Sequence, residues 1–114
     1  MNVYIYLDDV REDDSWFNAH LDRRLWHPMV ARTYDEVVDL LEMCRDDEVI
    51  LDLDHDLGET EDGYNEEERT GYDVCRFVVE SGIELVGYHI HSMNPVGARH
   101  MRELLDDFGY REME

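Results

Sequence analysis

The sequence predicts a single three-layer α/β domain, residues 1–114, in which helices cover both faces of a parallel β-sheet. Three observations lead to this fold class. Short apolar segments alternate with segments of helical periodicity, as in successive βαβ units. The length of 114 residues suffices for one hydrophobic core and not for two. Hydrophobic residues make up 43% of the chain, so a core can form although 35% of the residues are charged.

Four segments have the length and the apolar composition of strands. They are residues 3–7, 29–33, 49–53 and 85–90. The first and third end abruptly at acidic residues, and the fourth ends at a histidine. The tail, residues 110–114, is long enough only for a rudimentary fifth strand. We therefore expect a parallel sheet of four to five strands.

The first two connections between strands carry helical signals of unequal strength. Residues 12–26 contain large apolar residues whose spacing allows a short helix of poor regularity. The next helix has a clear start, because T-Y-D-E forms a capping box from Thr33 to Glu36. Its predicted apolar stripe is Val37, Val38, Leu40, Leu41 and Cys44.

Two further helices are delimited by residues that start or stop helices. Thr70 and Gly71 open the third helix, whereas Pro95 opens the fourth and Gly109 ends it. The fourth helix is expected to bury Met101, Leu104, Leu105 and Phe108. Residues 58–69, GETEDGYNEEER, form an acidic loop that we interpret as solvated surface, with a lid over the site as the alternative.

The charge of the chain restricts its partners. Thirty Asp and Glu face ten Arg, the net charge is -20, and there is no Lys. Such a surface repels phosphate backbones, so duplex nucleic acid is excluded as an expected partner. It fits a host of high ionic strength, where self-repulsion is screened. The absence of Lys excludes any mechanism that requires a catalytic amine.

No segment has the features of a membrane or export signal. No apolar stretch approaches the roughly 20 residues that span a bilayer, and the N-terminus reads as a strand. Cys44 and Cys75 lie in patterns that look helical and are interpreted as reduced core thiols. We expect a cytoplasmic protein without membrane contacts.

Polar groups suited to chemistry follow three of the predicted strands. They are Asp8, Asp9 and Arg11 after the first strand, Asp54, His55 and Asp56 after the third, and His91, Ser92 and Asn94 after the fourth. Ligands of open parallel sheets bind at the carboxyl ends of the strands. If these three strands are neighbours, their end groups meet in one crevice. The alternative is that these residues only form turns, where Asp and Asn are common.

Two histidines at adjacent strand ends suit acid–base chemistry. His55 and His91 would act as general base and general acid in the hydrolysis of a cyclic phosphodiester. Ser92, Asn94 and the amides that open the last helix would hold phosphate oxygens. Arg11 and Arg99 are the expected source of positive charge.

The carboxylates of this group have two possible uses. Asp54 and Asp56 would orient the imidazoles, or else bind a divalent ion such as Mg²⁺ or Mn²⁺ together with Asp8 and Asp9. The other histidines have simpler interpretations. His89 is expected to be a hydrogen-bonded core residue, and the remaining ones, His20, His27 and His100, are expected at the surface.

The strand-end residues resemble those of response-regulator receiver domains. In receivers an acidic pair, here Asp8-Asp9, holds a divalent ion, and the Asp after strand three, here Asp54, accepts a phosphoryl group. A Ser or Thr after strand four, here Ser92, signals the change. The resemblance implies a flavodoxin-like sheet of order 2-1-3-4-5. Receivers also need a Lys after strand five, which this chain does not have.

Four motifs narrow the resemblance to one group. They are LDDVR at 7–11, LDHDLG at 53–58, TGYDV at 70–74 and HSMNPVG at 91–97. In this order they resemble the cyclic-phosphate processing receiver-like family. The resemblance implies the site residues Asp8, Asp9, Arg11, Asp54, His55, Asp56, Gly58, Thr70, Gly71, His91, Ser92 and Asn94. His89 and the loop 59–69 are not part of the pattern.

The resemblance implies a phosphoesterase that opens a cyclic phosphate on a nucleotide, an RNA end or an ADP-ribose-like substrate. Two alternatives stay open at this point. One is a module that binds or sequesters a cyclic nucleotide signal without turnover. The other is a degenerate receiver used for signalling, against which the missing Lys and the two added histidines both count.

Overall fold

The computed structural model describes residues 1–57 and 69–114, and these residues form four strands and four helices. In chain order they are β1 (Asn2–Leu7), α1 (Ser15–His20), β2 (His27–Ala31), α2 (Tyr34–Met43), β3 (Glu48–Leu53), α3 (Gly71–Glu80), β4 (Gly87–Ile90) and α4 (Pro95–Asp107). Gly58, expected in the site, and the possible lid lie outside the described residues, except for Arg69.

The four strands form one parallel sheet in the order β2-β1-β3-β4, which confirms the predicted fold class. Leu7 pairs with Leu53 across β1 and β3, and Leu53 pairs with Ile90 across β3 and β4. The three strands that precede the candidate site are therefore neighbours and end at the same level. The rudimentary fifth strand is a single bridge between Tyr88 and Glu112 beside β4.

The two faces of the sheet are covered unequally. Alternate residues such as Ile5 and Leu51 belong to the main core, which is completed by α2, α3 and α4. The opposite face carries Tyr4 and Tyr6, and a smaller apolar cluster joins them to Phe17 of α1. This six-residue helix is the only one on that face in the described part of the chain. The sheet face is therefore left open beside β4.

Several element bounds differ from the predictions. The helix expected over 12–26 is only Ser15–His20, which buries Phe17 alone. The second strand runs over His27–Ala31 instead of 29–33, because β2 is an edge strand and tolerates Pro28. The fourth strand begins at Gly87 rather than at residue 85. Phe108 was predicted to be buried but is 63% exposed, since α4 has ended and turns toward Gly109.

Other predictions about local structure are confirmed. Thr33 caps α2 by accepting from the backbone N–H of Glu36, which is one of the two hydrogen bonds of the predicted capping box, and Thr70 caps α3 in a capping box with Asp73. Cys44 and Cys75 are buried free thiols, and burial raises the pKa of Cys75 to about 12. None of the helices in the described residues has the length and apolarity that crossing a bilayer requires.

Candidate functional site

The ends of β1, β3 and β4 bring three titratable side chains together. Asp8, Asp54 and His91 each directly follow residues that pair in register. One polar atom from each of these side chains lies within 4.8 Å of the others. Parallel strands end at a common edge, so this convergence follows from the sheet itself.

Asp8 is fully buried and makes hydrogen bonds through both carboxylate oxygens. Its Oδ1 accepts from the backbone N–H groups of Val10 (2.9 Å) and Arg11 (2.8 Å). Its Oδ2 lies 3.3 Å from Arg11 Nε and 3.1 Å from His91 Nε2. Burial by itself raises the pKa of Asp8, but these hydrogen bonds outweigh it and hold the pKa below its usual range. Asp8 is therefore an anion that the fold keeps ionised.

The His91 ring lies between two carboxylates. Its Nδ1 is 2.6 Å from Asp52 Oδ1, and its Nε2 is 3.1 Å from Asp8 Oδ2. The Tyr6 ring stacks on it with centroids 4.5 Å apart. Burial lowers the pKa of His91, but the two carboxylates more than compensate, so the pKa is raised overall. This arrangement favours an imidazolium that donates a proton from each nitrogen.

Asp52 is the centre of this network, and the sequence analysis assigned it no role. It is 1% exposed and accepts from His91, from His89 Nδ1 at 3.0 Å and from the Tyr4 hydroxyl. Burial raises its pKa, but these donors outweigh it and lower the pKa overall. A signal was present in the sequence, since Asp52 interrupts an apolar strand at a position where the side chain points into the molecule.

His89 is hydrogen-bonded to Asp52 but is not a core residue, because 21% of its side chain is exposed. Its ring stacks on Trp16 of α1 with centroids 4.7 Å apart. The expectation of a buried core histidine is therefore corrected. The sheet face next to β4 is covered only in part, which leaves His89 at the wall of a cavity.

A cavity of about 390 Å³ opens on the face of the sheet that carries α1. Its lining residues are Tyr6, Arg11, Asp13, Ser15, Trp16, Asp52, His89 and His91. Arg11 is 46% exposed and contributes a guanidinium to this wall. The cavity therefore combines aromatic rings, a guanidinium and the His91 ring.

Asp54 lies beside this cavity and is partly buried. Burial and the nearby Asp8 carboxylate both raise the pKa of Asp54, whereas His91 and two backbone N–H groups oppose them. Asp54 therefore takes up a proton more readily than an ordinary Asp. Asp9 is partly buried in the turn after β1 and is not a member of the close group of Asp8, Asp54 and His91.

His55 lies in a different cavity from His91. Its Nδ1 is 2.7 Å from Asp56 Oδ1, and its ring packs against Gly97 at the start of α4. The cavity that it lines has a volume of about 490 Å³ between α3 and α4, and includes Thr70 and His100. Among the described residues no hydrogen bond or ring contact joins the two imidazoles of His55 and His91.

The remaining predicted residues of strand four and α4 mainly shape the backbone. Ser92 Oγ accepts from the backbone N–H of Asn94 at 3.0 Å. Asn94 caps α4 by accepting from the Gly97 N–H, and its amide group lies 3.3 Å from Asp56 Oδ1. Arg99 is exposed and faces Glu103 at 3.8 Å along α4. The structure therefore brings Ser92 and Asn94 to the strand ends but not Arg99 to the His91 cavity.

Thr70 and Gly71 allow α3 to start very close to the end of β3. The backbone N–H of Gly71 donates to the His55 carbonyl at 2.8 Å. A Cβ at position 71 would overlap the carbonyl oxygen of Asp54. The glycine therefore lets the helix approach the strand end, and Thr70 completes the helix cap.

Asp8, Asp54 and His91 have the proximity of metal ligands, but the acceptor positions of Asp8 are already occupied. A carboxylate has about four acceptor positions. Those of Asp8 face two backbone N–H groups, Arg11 Nε, His91 Nε2 and, at 3.5 Å, the Tyr6 hydroxyl. A divalent ion would have to displace Arg11 or His91 from Asp8. The residues, as they are arranged, do not fit the divalent ion expected from the sequence.

Comparison with protein families gives one match. The family model described as "Cyclic-phosphate processing Receiver domain" matches residues 3–107. Apart from Asn2 at the start of β1, this range includes all four strands and all four helices of the described structure. The comparison with curated proteins and the comparison with solved structures returned no match.

Proposed function

Since this chain belongs to the family of cyclic-phosphate processing receiver domains, we propose that it hydrolyses a cyclic phosphate ester in the cavity beside β4. One observation supports this most strongly. The His91 ring is held between Asp52 and Asp8 and opens onto a cavity that also contains Arg11. An oriented imidazolium next to a guanidinium is suited to protonating a leaving group on phosphorus.

The local charges support the binding of a phosphate in this acidic protein. Asp8 and Asp52 are two anions, and Arg11 and protonated His91 are two cations in contact with them. These ion pairs offset the charges of Asp8 and Asp52, so neither repels a phosphodiester monoanion as an isolated carboxylate would. Asp13 also lines the cavity and accepts from the backbone N–H of Ser15. Arg11 is half-exposed and has donors left for phosphate oxygens. Arg11 and protonated His91 thus supply the positive charge that phosphate binding needs in a chain without Lys.

The proposed reaction is a single displacement at phosphorus. The oxygen of a water attacks the phosphorus, and the bond from phosphorus to one of the two ester oxygens of the ring breaks. His91 transfers to that leaving oxygen the Nε2 proton that it donates to Asp8 in the free protein, so the ring must turn from Asp8 toward the substrate. Asp54 accepts a proton from the attacking water. The product is an acyclic phosphate monoester. The raised pKa of Asp54 favours this role as base.

The role of His55 as a second acid–base group stays a prediction. Its position in the cavity between α3 and α4 supports a different contribution. By packing on Gly97 and pairing with Asp56, which also lies near Asn94, it holds the first turn of α4. Ser92 and the α4 amides are then available at the strand ends for phosphate oxygens, as proposed from the sequence.

The proposed substrate is a small nucleotide-like molecule with a cyclic phosphate, including RNA ends and ADP-ribose derivatives. The test is a panel of nucleoside cyclic phosphates with five- and six-membered rings, a cyclic-phosphate RNA end and a cyclic phosphate of ADP-ribose. Phosphorus NMR follows each compound with wild type, with His91→Ala and with His100→Ala, an exposed histidine on α4 as the matched control.

We expect at least one compound to be converted to a monoester by wild type and by His100→Ala but not by His91→Ala. Conversion that survives His91→Ala would contradict the assignment of the site. Tight binding of a panel member without any conversion would favour the sequestering module. Durable phosphorylation of Asp54 by acetyl phosphate would favour the signalling receiver instead.

A further inference from the structure

We propose that the protonated His91 ring is the built-in cation of this site and occupies the position beside Asp8 that a divalent ion would need. The inference goes beyond hydrolysis, because it concerns which cation balances the strand-end carboxylates. It can be tested without any substrate. It also separates this chain from the metal-binding arrangement that its resemblance to receiver domains implies.

The hydrogen-bond geometry requires two protons on the ring. Nδ1 is 2.6 Å from Asp52 and Nε2 is 3.1 Å from Asp8, and both partners are carboxylate oxygens. A neutral imidazole has one N–H, so one of its nitrogens would direct a lone pair at an oxygen lone pair. Only an imidazolium donates to both carboxylates.

Moving the extra proton to one of the carboxylates is disfavoured by their other partners. Asp8 accepts from two backbone N–H groups and faces Arg11 Nε, all of which stabilise the ionised form. Asp52 accepts from the Tyr4 hydroxyl and faces His89 Nδ1. The charge therefore resides on His91.

The charged groups around the His91 ring favour a cation at this position. The titratable and charged groups that face or surround His91 are Tyr6, Asp8, Arg11, Asp13, Asp52, Asp54 and His89. Four of these seven are carboxylates: Asp8 and Asp13 lie in the segment after β1, Asp52 lies within β3, and Asp54 directly follows β3. Arg11 is the one guanidinium among them, and it is directed at Asp8 rather than at the ring. The net local field therefore favours positive charge on His91.

The consequence is competition between His91 and a divalent ion. A metal that binds Asp8 and Asp54 must displace a donor from Asp8 Oδ2. His91 Nε2, at 3.1 Å, is the donor that also lies within 4.8 Å of Asp54, so the ion competes with the imidazolium for this position. Removing the ring takes the imidazolium away from the Asp8 and Asp54 carboxylates and vacates the position that Nε2 occupies beside Asp8 Oδ2. Replacing His91 with a smaller residue should therefore create a receiver-like site for a divalent ion rather than destroy one.

The experiment is a titration with Mn²⁺ followed by electron paramagnetic resonance. It compares wild type, His91→Ala, His91→Asn and the control His100→Ala. The net charge of -20 attracts cations non-specifically, so the titration is done in about 1 M KCl, where the Debye length is about 3 Å. Circular dichroism checks that each variant is folded, and His91→Asn replaces His91→Ala if the latter is not.

We expect no stoichiometric Mn²⁺ site in wild type or His100→Ala, and at least tenfold tighter binding in the His91 variant. Tight binding to wild type that is lost with His91 would overturn the proposal, because His91 would then be a ligand. Equal weak binding by all folded proteins would also overturn it, because His91 would not occupy a metal position.

Nitrogen NMR of the wild-type protein gives a second test that needs no variant. At neutral pH, where a free histidine is mostly neutral, both ring nitrogens of His91 should have the chemical shifts of protonated nitrogen. His100, which is exposed, serves as the internal reference. One protonated and one unprotonated nitrogen in His91 would contradict the proposal.

Discussion

At the scale of single residues, Asp52 shows how one buried carboxylate organises the site. It lies within β3 rather than after it, and three donors from two neighbouring strands converge on it. A buried charge is expensive unless such partners are present. Here the partners include His91, so satisfying Asp52 also fixes the orientation of the ring. Asp52 is a positioning residue in this arrangement.

Replacing Asp52 tests this role. Asp52→Asn keeps the size of the side chain but removes the charge that holds the Nδ1 proton of His91. We expect kcat to fall by roughly tenfold to a hundredfold, as when an outer partner of a functional histidine is lost, with KM nearly unchanged. Steady-state kinetics measures both constants, and Asp39→Asn on the exposed side of α2 is the control. A fall in kcat of similar size in the control, or a change in KM alone, would contradict the positioning role of Asp52.

Replacing His91 and replacing His55 should have different effects, because the two histidines line different cavities. His91→Ala should lower turnover about a hundredfold to ten-thousandfold, the range for loss of a general acid or base. His55→Ala should lower it much less, because it alters packing against Gly97. Rates of the single and double variants decide the question. Equal and strongly non-additive losses would instead support the paired-histidine mechanism predicted from the sequence.

The shifted pKa of His91 links stability to pH. Its pKa is raised in the folded protein, so its stabilising contribution is fully present below the unfolded value of about 6.5 and is lost as pH rises through the folded value. We expect the free energy of unfolding of wild type to approach that of His91→Asn as pH increases above neutrality. Urea unfolding at a series of pH values measures both. A difference that widens with pH would show that the ring is neutral in the folded state.

At the scale of secondary-structure elements, the start of α3 is a point of close contact. The helix begins at Gly71, directly against the carbonyl of Asp54, and Thr70 and Asp73 complete its cap. The same close approach recurs where Gly97 of α4 meets the ring of His55. The helices thereby form one side of the strand ends, while α1 forms the other.

Adding one methyl group tests how tightly α3 is seated. Gly71→Ala would ordinarily favour a helix, but here the new Cβ overlaps the carbonyl oxygen of Asp54. The helix or the strand end must move, so we expect a loss of about 1–3 kcal/mol of stability, as in overpacked cores. Thermal and urea unfolding measure it, with exposed Arg76→Ala on the same helix as control. An unchanged midpoint would refute the close approach.

At the scale of the whole molecule, the charge distribution is the dominant property. Thirty acidic and ten basic residues give a net charge of -20, while the ion pairs are mostly local contacts at the surface. Exposed pairs of this kind contribute little to stability. Repulsion among the excess carboxylates therefore destabilises the compact state. Burial of the hydrophobic core offsets this repulsion.

This repulsion should make stability depend on salt. Between about 0.1 M and about 1 M KCl the Debye length falls from about 10 Å to about 3 Å, so we expect the thermal midpoint to rise over this interval. Differential scanning calorimetry measures it, and an uncharged osmolyte series separates screening from excluded-volume effects. A midpoint that falls with KCl would mean that attractive pairs outweigh the net repulsion.

The sequence by itself determined the fold class, the parallel sheet and the starts of α2, α3 and α4. These features depend on local rules: the spacing of apolar residues, the capping chemistry of Thr33 and Thr70, and the order of strands and helices. The position of Asp8, Asp54 and His91 at one edge also follows, because parallel strands end together. Strand pairing is sufficient to bring these three groups close.

Only the tertiary structure decided which side chains share a cavity. His55 and His91 both follow strand ends, yet the packing of α4 draws His55 to one cavity while Asp52 and Asp8 hold His91 in the other. The role of Asp52 arises in the same way, since its donors come from residues 48, 37 and 39 positions away in the chain. Alternation along a strand indicates which face a residue occupies. The partners that it meets there depend on long-range packing, which is a property of the whole fold and not of any local pattern.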